Sequence, residues 1–324
     1  MSREPGRLAV LDLEPVSEDF LAEVIEGLGS SPPSLPCKFF YDERGAELFQ
    51  QICELPEYYI TRAETEILRC YGAEMAESVG ENAELVGFGT GAGVKTRMLL
   101  ENLKNPIAYV PVDISKQRLV ESAAALSRAM PALEILPVCA DYLQALELPK
   151  PLRKADHVAV YFPGSTIGNL EPPLARDFLQ RVCNLCGKSG GLIIGVDLQK
   201  PKKRIEAAYN DSAGITAAFN LNLLVRLNRE LSSDFQLSQW RHRAIYNEDA
   251  GRIEMHLVSE ADQMVHIDGS EFRFRRGEFI ITEFSYKHTP EGFAALAMSA
   301  GFQLANTWTD SQQLFAVFHF TVAE

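Results

Sequence analysis

Long apolar runs are missing from this chain. No stretch approaches the roughly 18 apolar residues that a membrane span requires, and the opening "MSREPGRLAVLDLEP" lacks the apolar segment of a secretory signal. Clustered positive charge is missing too: 31 Lys and Arg stand against 44 Asp and Glu, a formal net charge of -13. Nucleic-acid binding depends on such clusters, so that partner class is not expected. The one basic run, Lys200-Pro201-Lys202-Lys203-Arg204, reads as a solvated helix start. The six cysteines are scattered, which fits reduced thiols better than a disulfide framework. Cys183 and Cys186 form a C-x-x-C pair within a helical pattern, and packing explains them better than metal or redox chemistry. No repeat or metal-ligand pattern is present. The expectation is a monomeric, acidic, cytoplasmic protein with a small-molecule task and no membrane or nucleic-acid partner.

Beyond two short amphipathic helices at 17–28 and 45–54, Thr61-Arg62-Ala63-Glu64 has the form of a capping box and predicts a helix over 62–78. Five short apolar strands then alternate with helices: "AELVGF", "AYVPVDI", "LEILPVCA", "HVAVYFPG" and "GGLIIGVDL". Near-continuous apolar strands belong to a parallel sheet covered on both faces, so this part reads as a doubly wound α/β domain. After a helical stretch from about 200 to 231, the pattern becomes consecutive strands with turns at Ala261-Asp262 and Asp268-Gly269. Two closing strands, "FQLANTWTD" and "QLFAVFHFTVA", end the chain. The expected organisation is a substrate-domain piece over 1–60, a Rossmann-like core over 61–197, an inserted α+β substrate domain over 198–286, and completion of the core by 287–324.

The cofactor is narrowed by "VGFGTGAGVKTRMLL". A phosphate-binding P-loop needs glycine directly before its lysine, and the dinucleotide fingerprint needs a third glycine at the same place. Val94 occupies that position. Strand, G-x-G-x-G turn and helix remain, which suits a ligand without phosphates such as adenosylmethionine; a variant NAD site stays open on the shared βαβ geometry. Asp113 ends the next strand, where a carboxylate accepts both ribose hydroxyls, and Asp141-Tyr142 ends the third, beside the adenine. The closing strand pair has the form of the reversed hairpin that ends class I methyltransferase sheets. Gly89, Gly91, Lys95, Asp113, Asp141 and Tyr142 are the expected set for S-adenosyl-L-methionine (SAM).

The segments "KFFYDERGAELFQQICELPEYYITRAETEIL", "YFPGSTIGNLEP", "EAAYND", "AFNLNLLVRLNRELSSDF", "RIEMHLVS" and "TEFSYKH" together resemble the histidine Nα-methyltransferases of ergothioneine biosynthesis, from about residue 37 to the C-terminus. The resemblance implies a class I SAM-dependent methyltransferase that converts L-histidine to its trimethylated betaine, hercynine. It further implies that Asn169 holds the amine and carboxylate, that Tyr209 binds the carboxylate, and that Tyr58 or Tyr59 contacts the imidazole. Glu283 and Ser285 take the ring nitrogens, Met255 lies beside the ring, and Tyr41 lines the amine side, with Tyr41 and Asn169 as the catalytic pair. The chain departs from the family at Gly87, where an acidic residue usually precedes the glycine turn. Two rivals follow: methylation of another aromatic amino acid such as tryptophan, and a catalytically silent SAM-binding module.

Overall fold

A computed structural model describes residues 10–13, 20–89, 93–144 and 146–323. The chain divides into two compact units, one formed by Met1–Pro15, Arg62–Leu198 and His288–Glu324, the other by Val16–Thr61 and Gln199–Lys287.

In the first unit, the apolar runs become a sheet of nine strands. Its path is Leu11–Asp12, Val138–Cys139, Ala108–Asp113, Ala83–Phe88, His157–Phe162, Gly191–Asp197, Phe315–Val322 and Phe302–Thr309, with Glu134–Ile135 beside Ala108–Asp113. The central strands pair in parallel. Phe315–Val322 runs antiparallel to both its neighbours, so the closing hairpin is reversed as the class I pattern requires. Val86, Val110, Val160, Ile194 and Phe318 are fully buried and pack with Phe178 and Leu179 of the helix Pro172–Cys186 and Phe293 of the helix Pro290–Ser299. Burial on both faces is why these strands carry almost no polar side chain.

Two details differ from the sequence reading. Leu11–Asp12 pairs in parallel with Val138–Cys139, which puts this stretch on the edge of the large sheet rather than in the substrate unit assigned to 1–60. The long helix spans Tyr59–Val79 and so already includes Thr61, and Glu64 is fully buried instead of capping it. Cys183 and Cys186 are buried in the core, and their thiols donate to the Gly301 and Gly191 carbonyls (3.4 and 3.2 Å). Burial pushes the Cys186 thiol up to about 12, which leaves it inert. Among the described residues no His, Cys, Asp and Glu group could hold a metal, and no helix is long and apolar enough to cross a membrane.

The second unit is α+β. Its three-stranded antiparallel sheet runs Phe279–Tyr286, Arg252–Ser259, Trp240–Asn247. The helix Ile215–Glu230 packs on that sheet and on the helix Glu43–Glu54. Gln263–Ile267 and Ser270–Phe274 form a separate hairpin, closed by Asp268 and Gly269 with φ of 44° and 79°, the positive pair of a type I′ turn. Ala261-Asp262 is not a hairpin turn: it is a corner leading from one sheet to the other.

Candidate active site

The first unit gathers most of the expected cofactor residues at the carboxyl ends of adjacent strands, where ligands of open α/β sheets bind. The Gly89 amide donates to the Val112 carbonyl (3.0 Å), and the Ala140 amide to the Asp113 carbonyl (3.1 Å), so the three strand ends lie side by side. Gly89 has φ of 56°, a left-handed conformation that suits glycine, and a Cβ there would lie 3.6 Å from Cε1 of Tyr142. Gly91 lies outside the described residues. Asp113 Oδ1 accepts from the Ser115 amide and Asp141 Oδ1 from the Leu143 amide (2.9 Å each), which fixes both carboxylates at the rim. The Tyr142 ring sits 5.7 Å from Phe88 and 5.6 Å from Phe162. These residues fit an adenosine: carboxylates accept ribose and amino protons, an aromatic face takes the base, and two anionic rim groups repel a phosphate.

Lys95 and the loop bearing Asn169 share a partner that sequence reasoning had placed at a helix cap. Buried Glu64 pairs with Lys95 and accepts from the Gly164 amide (2.9 Å). Ser165 Oγ, on a residue with φ of 59°, accepts from the Asp197 amide (2.9 Å). The start of the "PGSTIGN" turn is thereby pinned at two adjacent residues ahead of Asn169, which closes the short helix Thr166–Asn169. Gly87 is buried opposite Tyr161, and the Glu64 carboxylate helps burial to raise the Tyr161 phenol. A buried carboxylate therefore stands near the position where Gly87 supplies none.

In the second unit a β-bulge decides which side chains share a face. The register of Phe279–Tyr286 on Arg252–Ser259 shifts between Ile281 and Glu283, so Glu283 comes to lie directly opposite Met255. Ser285, two residues on, points to the same side as Glu283. Buried Lys287 donates to Ser285 Oγ (2.8 Å) and Tyr209 Oη (3.0 Å), while the Tyr209 hydroxyl donates to Ser285 Oγ (2.9 Å). The proton of Tyr209 is thus engaged by Ser285, and a carboxylate role for Tyr209 needs this bond to be exchanged. Among the described residues the Glu283 carboxylate forms no hydrogen bond, and burial pushes its pKa up to about 7 against the lowering effect of Lys287.

Aromatic rings extend from this cluster. Tyr58 lies 6.3 Å from Tyr209 and 6.4 Å from Phe49, and Tyr41 lies 5.6 Å from Phe49. Tyr59 is engaged elsewhere: Lys200 donates to its hydroxyl (2.8 Å) and Lys200 and Arg204 lie over its ring. Burial raises the Tyr58 phenol well above its ordinary range, so it stays neutral. Local chemistry holds each ring in place. Glu57 accepts from Ser212 Oγ (2.8 Å), tying "PEYY" to the segment after Tyr209. Asp42 caps the helix Glu43–Glu54 through the Gly45 amide (2.8 Å) and accepts from Asn222 (2.8 Å), which anchors Tyr41. A Cβ on Gly45 would collide with the Phe40 carbonyl.

Residues 20–322 match the family described as histidine-specific methyltransferase, SAM-dependent. The chain belongs to that family. This methyltransferase is similar to the histidine N-alpha-methyltransferase of Mycolicibacterium smegmatis, at 39% identity over 93% of this chain and 94% of that one. It is also 40% identical to the histidine N-alpha-methyltransferase of Mycobacterium tuberculosis, over 89% and 90% of the two chains. An L-tryptophan methyltransferase of Psilocybe serbica is 26% identical over 96% of this chain and 97% of its own. The methyltransferase uses SAM, and the NAD and silent-module readings fall away.

Four residues of the methyltransferase that sequence reasoning passed over support its second unit. Thr282, the bulged residue, donates to Asn220 Oδ1 (2.8 Å) and the Met255 carbonyl (3.1 Å). Asn220 donates to Nδ1 of His242 (2.9 Å), whose Nε2 donates to the Tyr209 carbonyl (2.8 Å). That carbonyl can only accept, so His242 is the neutral Nε2–H tautomer, in keeping with a pKa lowered by burial. Lys287 is the fourth. Two signals for them stand in the sequence: Asn220 interrupts the apolar face of "AFNLNLL", and Lys287 continues the alternation of Glu283 and Ser285.

Proposed function

We propose that the protein transfers three methyl groups from SAM to the α-amino nitrogen of L-histidine, giving hercynine, a step of the kind that opens ergothioneine synthesis. The observation that carries this reading is Glu283: a half-buried carboxylate with no hydrogen-bond partner among the described residues, opposite Met255 and beside Ser285. Such a group costs stability until a ligand N–H meets it, and an imidazole supplies one. The names of the Mycolicibacterium and Mycobacterium relatives point to the same substrate.

Gly89, Gly91, Lys95, Asp113, Asp141 and Tyr142 would hold SAM, which supplies an electrophilic methyl group when bound. The protein's own residues do the rest by positioning. In the second unit Glu283 and Ser285 orient the ring with Met255 beside it, Tyr58 packs against it and Tyr209 takes the carboxylate; in the first, Asn169 is the residue expected to hold the amine. An α-amine is largely protonated at neutral pH, so it sheds a proton before it reacts. A trimethylated nitrogen no longer donates hydrogen bonds, and the Tyr41 and Phe49 rings offer it cation–π attraction of about 1 kcal/mol each. The test is calorimetric titration with histidine, tryptophan and phenylalanine in the presence of S-adenosylhomocysteine. Histidine is expected to bind selectively; tryptophan or phenylalanine binding as tightly would contradict the assignment.

A further inference from the structure

We propose that Lys287 is a positioning residue that makes Ser285 a hydrogen-bond donor, and so commits the second unit to a ring with one lone-pair nitrogen and one N–H. This rests on the reading of Glu283 and Ser285 as the ring-binding pair.

Proton direction decides what Ser285 can offer a ligand. Lys287 is 3% exposed, and its ammonium has protons but no lone pair, so it only donates. It donates to Tyr209 Oη (3.0 Å) and to Ser285 Oγ (2.8 Å). Tyr209, its oxygen already receiving, turns its single proton to Ser285 (2.9 Å). Ser285 Oγ therefore receives two bonds, and its own proton is left for another acceptor. If Tyr209 turns to the substrate carboxylate, the ammonium still holds the Ser285 oxygen as an acceptor.

Glu283 has the opposite polarity once ionised, as it is above its raised pKa of about 7 with the Lys287 charge favouring the anion, because a carboxylate only accepts. Two neighbouring groups, one giving and one receiving, match a neutral imidazole in a single tautomer. Imidazolium presents N–H at both nitrogens and meets Ser285 donor to donor. Indole has an N–H but no lone-pair nitrogen, so it leaves the Ser285 proton unpaired in an enclosed site, which is a strong basis for rejection. Without Lys287, Ser285 is free to give its proton to Tyr209 and face the ring as an acceptor. Selectivity for the ring is in this way set by a residue that need not touch it.

The test is a double-mutant cycle on histidine affinity, measured by calorimetry with S-adenosylhomocysteine present, for the unsubstituted protein, Ser285→Ala, Lys287→Met and the double variant. Lys287→Met is expected to weaken histidine binding about tenfold or more, and to add only about twofold to threefold once Ser285 is Ala, the remainder being the loss of its charge beside Glu283. Additive losses would overturn the proposal. A ligand series on the unsubstituted protein covers the case in which Lys287→Met does not fold. Thiazol-4-ylalanine and thiazol-5-ylalanine each keep one lone-pair nitrogen and lack a ring N–H; 3-thienylalanine has neither. At least one thiazole is expected to bind several-fold more tightly than the thiophene, and equal binding of all three would refute the donor role. Failure of the unsubstituted protein to bind histidine at all would instead overturn the substrate assignment beneath it.

Discussion

Glu283 faces Met255 across the antiparallel pair because Thr282 is bulged out of the register that joins Ile281 to His256. Without that bulge the strand would carry Glu283 to the other face, since side chains alternate with a period of two. Thr282 is 1% exposed, and its hydroxyl bonds to Asn220 and to the Met255 carbonyl hold the extra residue in place. Thr282→Val keeps the shape and removes both bonds, leaving buried acceptors unpaired. The expected result is a loss of about 1–3 kcal/mol in urea unfolding, with histidine affinity reduced more than cofactor affinity in calorimetry.

Glu283→Ala removes the acceptor for the ring N–H. A bond to a charged partner in an enclosed site is worth about 1.5–3 kcal/mol, so the histidine KM should rise by roughly one to two orders of magnitude. The Kd for SAM should stay within about twofold, because Glu283 lies in the second unit and the expected cofactor set in the first. Comparable losses in both constants would contradict the ring assignment.

The raised pKa of Glu283 has a signed effect on stability. Its folded value of about 7 exceeds the ordinary 4.5, so the folded protein binds the proton more tightly than the unfolded chain does. The stabilisation is fully present below 4.5 and is lost as pH rises through about 7. Glu283→Gln abolishes this dependence. Relative to the parent, the ligand-free Gln variant should gain on the order of 1–2 kcal/mol between the two ends of that window, allowing for partial solvent access. Urea unfolding on either side of the window measures it, and parallel curves for the two proteins would disprove the shift.

Asp113→Ala should do the reverse of Glu283→Ala. The SAM Kd should rise about tenfold while histidine binding in a cofactor-independent titration stays unchanged. Asp113→Asn, which keeps an acceptor for the Ser115 amide now held at 2.9 Å but puts an amide donor in place of the other carboxylate oxygen, should lose nearly as much. A large loss from Asp113→Ala beside a negligible one from Asp113→Asn would mean that the turn, and not contact with the ribose, explains the effect.

The architecture was legible where burial dictates composition. Strands such as Gly191–Asp197 are apolar up to their terminal Asp197 because every residue in them is buried, and the reversal of Phe315–Val322 followed from its place after the last helix. The SAM loop was legible because Val94 excludes two competing templates. What escaped was pairing that depends on residues far apart in the chain. Glu64 matches a capping box locally, yet its partners, Lys95 and Gly164, lie in later segments. The bulge at Thr282 is invisible in "ITEFS", since a strand does not announce its register. The role of Lys287 depends on Tyr209, 78 positions earlier, as much as on its neighbour Ser285. Leu11–Asp12 is too short to signal a strand without its partner Val138–Cys139.

The most direct test of the account is turnover. Purified protein is incubated with SAM and an equimolar mixture of histidine, tryptophan, tyrosine and phenylalanine, and the products are followed by mass spectrometry. The account predicts that histidine alone gains one, two and finally three methyl groups, all on the α-nitrogen. Methylated tryptophan with histidine untouched, or no methylated amino acid at all, would contradict it.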